Sequence, residues 1–569
     1  MKKFLFLIVS VFCILGLRPI KDSGNSQKQK LPFSSRMPLV DWIGLHNGVG
    51  VAHPWLYDEL KAFPSAEGFG KYVTGGRGGE VLLVSNRKDT GDGSARKAWE
   101  SETPGYIIFE TAGYINVKNQ RISPKDDKTV LGQSAFRNKG QGISFKMDQS
   151  NRYMGPLFGN KNGEGFGNHV TRYIRYRRGI GILGECCGDN FTPWGTEKRF
   201  IMDHCSFAFS TDQNVSFPSV GGYTVQYSIS AFGLKWATHQ YNKPGDSNYA
   251  TGHSKGSLTS DTAECSWFGN LFANNNDRNP LIEAKATGIT KVDITSNFFY
   301  NRGIFGIQLL PAKGVFNVNV VNNYWKNGPQ SKERRYGFMW PSMPSGNYDG
   351  YRYTNLNYSQ HRLYVKGNLS PKRPSLENPE WQVVGAWDDN RGAQHPEVHQ
   401  VDNPFDFSID TARVLEATAL ESELLSHVGA SLYRDNFDEL AIENAINNTG
   451  SIINGDGFTG DDLPSFTAFT GGYAPLSDMT SLPKDDDKDG IENRYDGDSD
   501  EYDSNLAFPN GLQVPDVITL SGSHNQVVPY FILNKKIWVN PGYELIEVRY
   551  FNAQDIEALT LTDFPFKQR

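Results

Sequence analysis

From about residue 60 to 370 the chain strings together short runs in which apolar and polar positions alternate, with Gly, Asn and Asp between them and almost no 3.6-residue periodicity. Alternation turns one set of side chains inward and the other to water, so the pattern predicts strands throughout. Several runs share one theme, an alternating apolar stretch that ends in Asn or another polar residue followed by an aromatic or Leu. They are "TVQYSISAF" at 224–232, "SWFGNLFANN" at 266–275, "DITSNFFYN" at 293–301, "VNVVNNYWKN" at 318–327 and "RLYVKGNLS" at 362–370. Asn270 and Asn297 are 27 residues apart, and Asn297 and Asn323 are 26 apart. A strand-rich repeat of that length predicts a solenoid, each coil buried against the next, with stacked Asn amides hydrogen-bonding in a ladder along the axis. An antiparallel sandwich with coincidental spacing is the competing reading of the periodicity taken alone.

The pattern changes at 411–450, where helix formers at helical spacing predict a helical segment ending at Gly450. An acidic, loop-rich region follows, and the last 50 or so residues alternate again as strands. The expected organisation is a leader at 1–17, an N-terminal extension at 18–60, a solenoid at 61–410, the helical segment at 411–450, an acidic loop region at 451–510 and a small C-terminal β region at 511–569. In the leader, Lys2 and Lys3 precede a 14-residue apolar run, Phe4 to Leu17, then Arg18 and Pro19. That is the build of a secretory signal and too short for a membrane span, so an exported chain without a span is expected, acting as a monomer.

Composition narrows the function. The 569 residues carry a formal net charge of -6, with 57 Lys and Arg against 63 Asp and Glu. No global basic footprint exists to hold nucleic acid, and 13% aromatic content argues for packing over disorder. Beyond Cys13, the cysteines Cys186, Cys187, Cys205 and Cys265 are too few for a disulfide-dependent scaffold and lack metal-thiolate spacing. One bridge among the four and buried free thiols are both open.

Seven ordered blocks then carry a resemblance. "FPSAEGFGKYVTGGRGGEVLLVSN" at 63–86, "TVLGQSA" at 129–135, "HVTRYIRYRRG" at 169–179, "FIMDHCSFAFSTDQNVSF" at 200–217, "HSKGSL" at 253–258, "NLFANNNDRNP" at 270–280 and "VGASLYRDNFDELAIENAINNTG" at 428–450 resemble the pectate lyase family of exported β-helix enzymes, over about 390 residues. The resemblance implies an all-β, right-handed parallel β-helix and a lyase that cleaves an acidic, uronate-containing polysaccharide by β-elimination.

That chemistry makes demands of its own. Removing the C5 proton of a 4-linked uronate builds negative charge beside a carboxylate, so positive charge must be supplied by a divalent cation or by Lys and Arg. Ca²⁺ suits an exported site because it accepts several oxygen ligands in flexible geometry. The resemblance places Arg278 in "DRNP" as the Brønsted base and Lys255 in "HSKGSL" as the accessory lysine, with His253, Asn279 and Lys285 as substrate-binding residues. Arginine is ordinarily fully protonated, so a desolvated Lys255 beside another cation shares the proton handling. Asp189 and Asp212 are the implied calcium ligands. Gln213, Asn214 and Ser216 stand where relatives carry further acids, which predicts weak calcium binding completed by the substrate carboxylate. Asp203 and His204 in "MDHCSF" read as structural, hydrogen-bonding between coils.

One departure concerns specificity. Relatives place a second base five positions after the catalytic Arg, and here that position is Glu283, with Lys285 nearby. Plain polygalacturonate is therefore in question, and ulvan or another algal uronate polymer is the alternative substrate. In the acidic region Asp485, Asp487, Asp489 and Asp496, with Gly490 and Ile491, match a calcium loop, against the plain reading of a solvated linker. Two rivals remain: a β-helix that binds glycans without catalysis, and a hydrolase. The hydrolase would need clustered acids, and the pairs Asp126–Asp127 and Asp388–Asp389 fall away from the central repeats.

Overall fold

The computed structural model describes residues 62–480 except 64, 77–79, 119, 149–154, 161–163, 181–187, 238–251, 305, 311–313, 332–336, 341–344, 349–350, 355–356, 387–398, 408, 410–412 and 457–460, and beyond that span the backbone of a few short strands. The expected leader, Cys186, Cys187, Asp388, Asp389 and the acidic loop lie outside the described residues.

Three parallel sheets run the length of the molecule, one of ten strands and two of eight. Seven successive coils, from the one that starts at Lys128–Leu131 to the one that ends at Phe338–Trp340, give one strand to each sheet, and the coils at the two ends give fewer. A representative circuit runs through Val220–Gln226 and Ile229–Ala231 to Lys255–Ser260, and the next through Glu264–Phe268 and Leu271–Ala273 to Leu281–Glu283. Pairing is in register from coil to coil, as in Ile294 opposite Trp267 on one side and Val320 on the other. This is the expected parallel β-helix; the sandwich reading fails because every strand in these three sheets pairs parallel with its neighbours.

Inward positions fill the bore with stacked rings. Phe299 stacks on Trp325 at 4.9 Å and 7° between ring planes, and Tyr176 on Phe207 at 5.1 Å and 5°. Burying each such side chain contributes roughly 1.5–3 kcal/mol. Cys205 and Cys265 are free and buried in the same core, and burial pushes the Cys205 thiol up to about 12.

The predicted Asn ladder runs where the ten-stranded sheet turns into the second eight-stranded sheet. Asn297 Oδ1 accepts from both Asn270 N and Asn270 Nδ2 at 2.9 Å. Asn323 Oδ1 accepts from Asn297 N at 2.9 Å and Nδ2 at 3.0 Å, and Asn368 Oδ1 repeats the pattern for Asn323. Toward the N-terminal coils Ser228 and then Cys205 continue the row. Each amide satisfies a corner N–H that no strand partner reaches, which is why the residue recurs at the coil period. Nearby, Asp203 Oδ2 accepts from Arg172 Nε at 2.9 Å and Oδ1 from Gln226 Nε2 at 2.8 Å, while His204 stacks between Tyr173 and Tyr227. These contacts join three successive coils, the structural role expected for the Asp-His pair.

The segment 411–450 differs from its expectation. Regular helix is confined to Asn436–Asn447, capped by the Asp435 side chain and ended by Asn448 in the left-handed region. Before it the chain runs in turns with one 3-10 turn, Leu424–Ser426. Leu415, Leu420, Leu424, Leu425 and Val428 are nonetheless buried against Phe268, Leu271 and Phe298. A flat sheet face takes those leucines singly, and packing overrides helix propensity. The helix is locked by Arg177, whose Nη2 reaches Asp435 at 2.9 Å and Asp438 at 2.8 Å with all three side chains buried. In the C-terminal β region the described backbone forms antiparallel pairs such as Tyr530–Leu533 with Lys536–Val539. Among the described residues no helix is long and apolar enough to cross a membrane.

Candidate active site on one sheet face

The sheet that runs from Phe158–Gly159 to Val384–Ala386 carries the predicted chemistry. Val215, Phe217 and Ile282 point into the core. Their neighbours Ser216, Leu281 and Glu283 therefore face outward, as do Leu258, paired with both Ser216 and Leu281, and Leu310, paired with Glu283.

Arg278 sits where the chain enters this sheet, with φ +53° and a cis peptide after Asn279. Its backbone is held on both sides: its N–H donates to Asp277 Oδ1 at 2.7 Å and to Gln308 Oε1 at 3.1 Å, and its carbonyl accepts from Ser257 N at 2.7 Å. The side chain is half-buried. One coil earlier, Lys255 opens its strand and bridges to Asp277. Its Nζ donates to Asp212 Oδ1 at 3.0 Å. His253 Nδ1 faces the same oxygen at 3.0 Å and the Thr211 carbonyl at 3.1 Å.

The electrostatics follow from crowding in a dry corner. Burial and the Arg278 guanidinium lower the Lys255 ammonium, against the opposing pull of Asp212. For Asp212 burial works upward, but Lys255, His253 and Arg278 outweigh it and hold the carboxyl well below the usual range. Asp212 is thus a fixed anion that anchors Lys255 and is braced by His253.

Asp189 lies one coil before Asp212 and is nearly covered. Thr192 Oγ1 and Ser216 Oγ donate to its Oδ2 at 2.7 Å each, and Gln213 N donates to Oδ1 at 2.9 Å. Burial and the Asp212 charge nevertheless push it up to about 7. Two carboxylates that crowd one another in this way fit a cation, which would relieve the repulsion between them. Among the described residues no group of three or more His, Cys, Asp and Glu converges, so Asp189 and Asp212 do not by themselves make up a metal site.

The other sequence candidates separate. His253 is buried, with its Nδ1 aimed at Asp212. Asn279 is 2% exposed and its Oδ1 accepts from Asn275 Nδ2 at 3.1 Å, which places its side chain in the corner row. Lys285 is half-buried, two residues past the strand Leu281–Glu283. Asp485, Asp487, Asp489 and Asp496 lie outside the described residues. Asp126 and Asp127 are occupied in a turn, accepting from Gly167 N and Asn168 Nδ2. Sequence reasoning missed Gln308 and Asp277, which fix the Arg278 backbone. Gln308 is 30 residues after Arg278, close to the coil repeat, but nothing in the sequence distinguishes it from other polar strand residues.

A parallel β-helix with an arginine beside an anchored lysine is the arrangement that the sequence reading expects of a polysaccharide lyase, and relatives show that class. No protein-family model matches the chain. Curated relatives do: a probable pectate lyase C of Aspergillus flavus is 30% identical over 439 residues, covering 76% of this chain and 86% of the relative. A probable pectate lyase C of Emericella nidulans is 29% identical over 456 residues, covering 79% and 90%. Solved structures give fainter likenesses, the cedar pollen allergen jun a 1 at TM-score 0.36 and 14% identity over 64% of this chain and 92% of that one, and pectate lyase II of Xanthomonas campestris at 0.31 and 13% over 64% and 98%. The chain belongs to the pectate lyase family.

Proposed function

We propose that the protein cleaves a pectate-like uronic-acid polysaccharide by β-elimination, with Arg278 as base and Lys255 assisting, and that 61–410 is the catalytic unit of an exported monomer. The observation that carries this is the convergence of Arg278 and Lys255 on one sheet face, with Lys255 tied to Asp212 at 3.0 Å. In the step, Arg278 in its deprotonated form, its own proton having gone to solvent, takes the C5 proton, the C5–H electrons form the C4–C5 double bond, and the C4–O bond breaks; the guanidinium so formed returns its proton to solvent before the next turnover. The departing oxygen takes a proton from Lys255 or water, and Lys255 is suited to give and regain one because burial and Arg278 lower its ammonium. Asp212 holds Lys255 in place through this exchange. Calcium bound by Asp189, Asp212 and the substrate carboxylate would supply positive charge against the developing carbanion. Every other feature of the step belongs to the chain itself.

The test is the ultraviolet absorbance of the unsaturated product when the purified protein meets uronate polymers with calcium or with chelator. Elimination on any of them, lost in Arg278→Ala, supports the reading. Glycan binding without absorbance would instead favour the non-catalytic alternative.

A further inference from the structure

Resting on that reading, we infer that Asp461 is a positioning residue for the elimination: its carboxylate latches the C-terminal arm at 452–466 onto the corner segment that keeps Lys255 and Arg278 aligned. Ile453 makes a parallel bridge to Leu234. Around it, Lys235 N donates to the Ile453 carbonyl at 2.8 Å and Gly455 N to the Trp236 carbonyl at 3.0 Å. The segment 234–236 in turn carries the entry to the next strand of the active face, since His253 N donates to the Lys235 carbonyl at 2.6 Å and Ser254 N to the Leu234 carbonyl at 2.9 Å. One coil further, Asp277 N donates to the Ser254 carbonyl at 3.0 Å, and Ser257 N to the Arg278 carbonyl at 2.7 Å. A row of backbone bonds therefore runs from the arm, through 234–235, to the residues next to Lys255 and Arg278.

Asp461 is the side chain that fastens this row at the arm. Its Oδ2 accepts from Lys235 Nζ at 3.1 Å and from Trp236 Nε1 at 3.0 Å. Its Oδ1 accepts from Asn454 Nδ2 and, at 3.3 Å, from Leu463 N. One carboxylate thus joins both limbs of the arm to the corner segment. Burial raises this carboxyl, but the bonds from Asn454 and Lys235 and the lysine charge outweigh it and leave the group below its usual value. On the other side Gly252, at φ +64°, lies so close that a Cβ there would stand 2.9 Å from Lys235 Cγ and 3.3 Å from Trp236 Cδ2. Lys235 and Trp236 are clasped between Asp461 and the turn that leads to His253. Packed contacts of this kind pass a displacement on instead of absorbing it. A shift of about 1 Å between Lys255 and Arg278 spoils the alignment of the reacting groups, so its cost falls on the reaction step and not on substrate binding.

The experiment measures kcat and KM by product absorbance, on whichever of polygalacturonate and ulvan the wild type cleaves, well below the melting temperature of each variant. The variants are Asp461→Ala, Asp461→Asn, Trp236→Phe, the double variant Asp461→Ala with Trp236→Phe, and Asp478→Ala. Asp478 is the control, because it ties the same C-terminal region to the N-terminal coils instead, accepting from Ala112 N at 2.7 Å and facing Arg87 at 3.5 Å. Asp461→Ala should lower kcat about tenfold or more with KM changed by less than about twofold. Asp461→Asn, which keeps the shape and one acceptor oxygen, should recover part of that loss, and it remains informative if the Ala variant misfolds. Trp236→Phe should lower kcat in the same direction, and the double variant should lose less than the two losses combined, as expected of residues that act through one contact. Asp478→Ala should leave kcat unchanged. A kcat at the wild-type level in both Asp461 variants, a change confined to KM, or an equal fall in Asp478→Ala overturns the inference while leaving elimination intact. Absence of unsaturated product from both polymers with the wild type overturns the parent reading and this one with it.

Discussion

Two corners of the same β-helix use asparagine differently. Where the ten-stranded sheet turns, Asn270, Asn297, Asn323 and Asn368 stack coil upon coil with 2.9–3.0 Å bonds to one another. At the corner that leads into the active face, Asn190, Asn214, Asn275 and Asn279 also form a row, but their amide contacts are 3.5, 3.4 and 3.1 Å and their sequence separations are 24, 61 and 4. The first corner repeats because each coil there solves the same problem, an unpaired backbone N–H. The second is irregular because Arg278, Lys255 and Asp212 interrupt it, and loops of unequal length are inserted between its coils. Regularity marks the scaffold, and its loss marks the proposed site.

The largest effect expected from breaking this contrast is at the irregular corner. Arg278→Ala should lower kcat by roughly 10²–10⁴ while the melting temperature stays near wild type, measured by product absorbance and calorimetry. Next comes a buried acid on the ten-stranded sheet. Burial pushes Asp293 up to about 7 despite hydrogen bonds from Thr295 and Asn319. The folded protein therefore holds this proton more tightly than the unfolded chain. The resulting stability is fully present below about pH 4, the unfolded value, and is lost as pH rises through about 7. Asp293→Asn should match wild type near pH 4 and exceed it at pH 8 by up to roughly 4 kcal/mol in denaturant unfolding. Asn297→Ala, in the regular corner, should cost roughly 3 kcal/mol of stability by stranding buried donors, with kcat of the folded fraction unchanged. The smallest effect is expected for Gln308→Ala. Losing one of two acceptors on Arg278 N–H should reduce kcat about tenfold with KM little changed, and Gln308→Glu, which keeps the acceptor, should recover part of that loss.

The same contrast explains what could be read from the sequence. The Asn270, Asn297 and Asn323 spacing announces both the solenoid and its ladder, because a corner that recurs leaves a period in the sequence. The blocks around Lys255 and Arg278 point to the proposed reactive pair. The pairing of His253 with Asp212 is not visible, since it depends on where two loops return to the same edge. Nor is the interior position of Asn279, which looks like any polar residue next to a catalytic one. The leucines at 415–428 mislead in the other direction: their spacing is helical, but a sheet face organises them in turns. Periodic contacts leave a trace in one dimension, whereas contacts made once, between loops of unequal length, do not.

The central claim is that Arg278 and Lys255 together drive elimination. Its most direct test follows the ultraviolet absorbance of product beside total reducing ends, for wild type, Arg278→Ala and Lys255→Ala on polygalacturonate and on ulvan. The account predicts that absorbance and reducing ends rise together in the wild type and that both fall by at least about 10² in each variant. Reducing ends without absorbance, or absorbance that survives in Arg278→Ala, would contradict it.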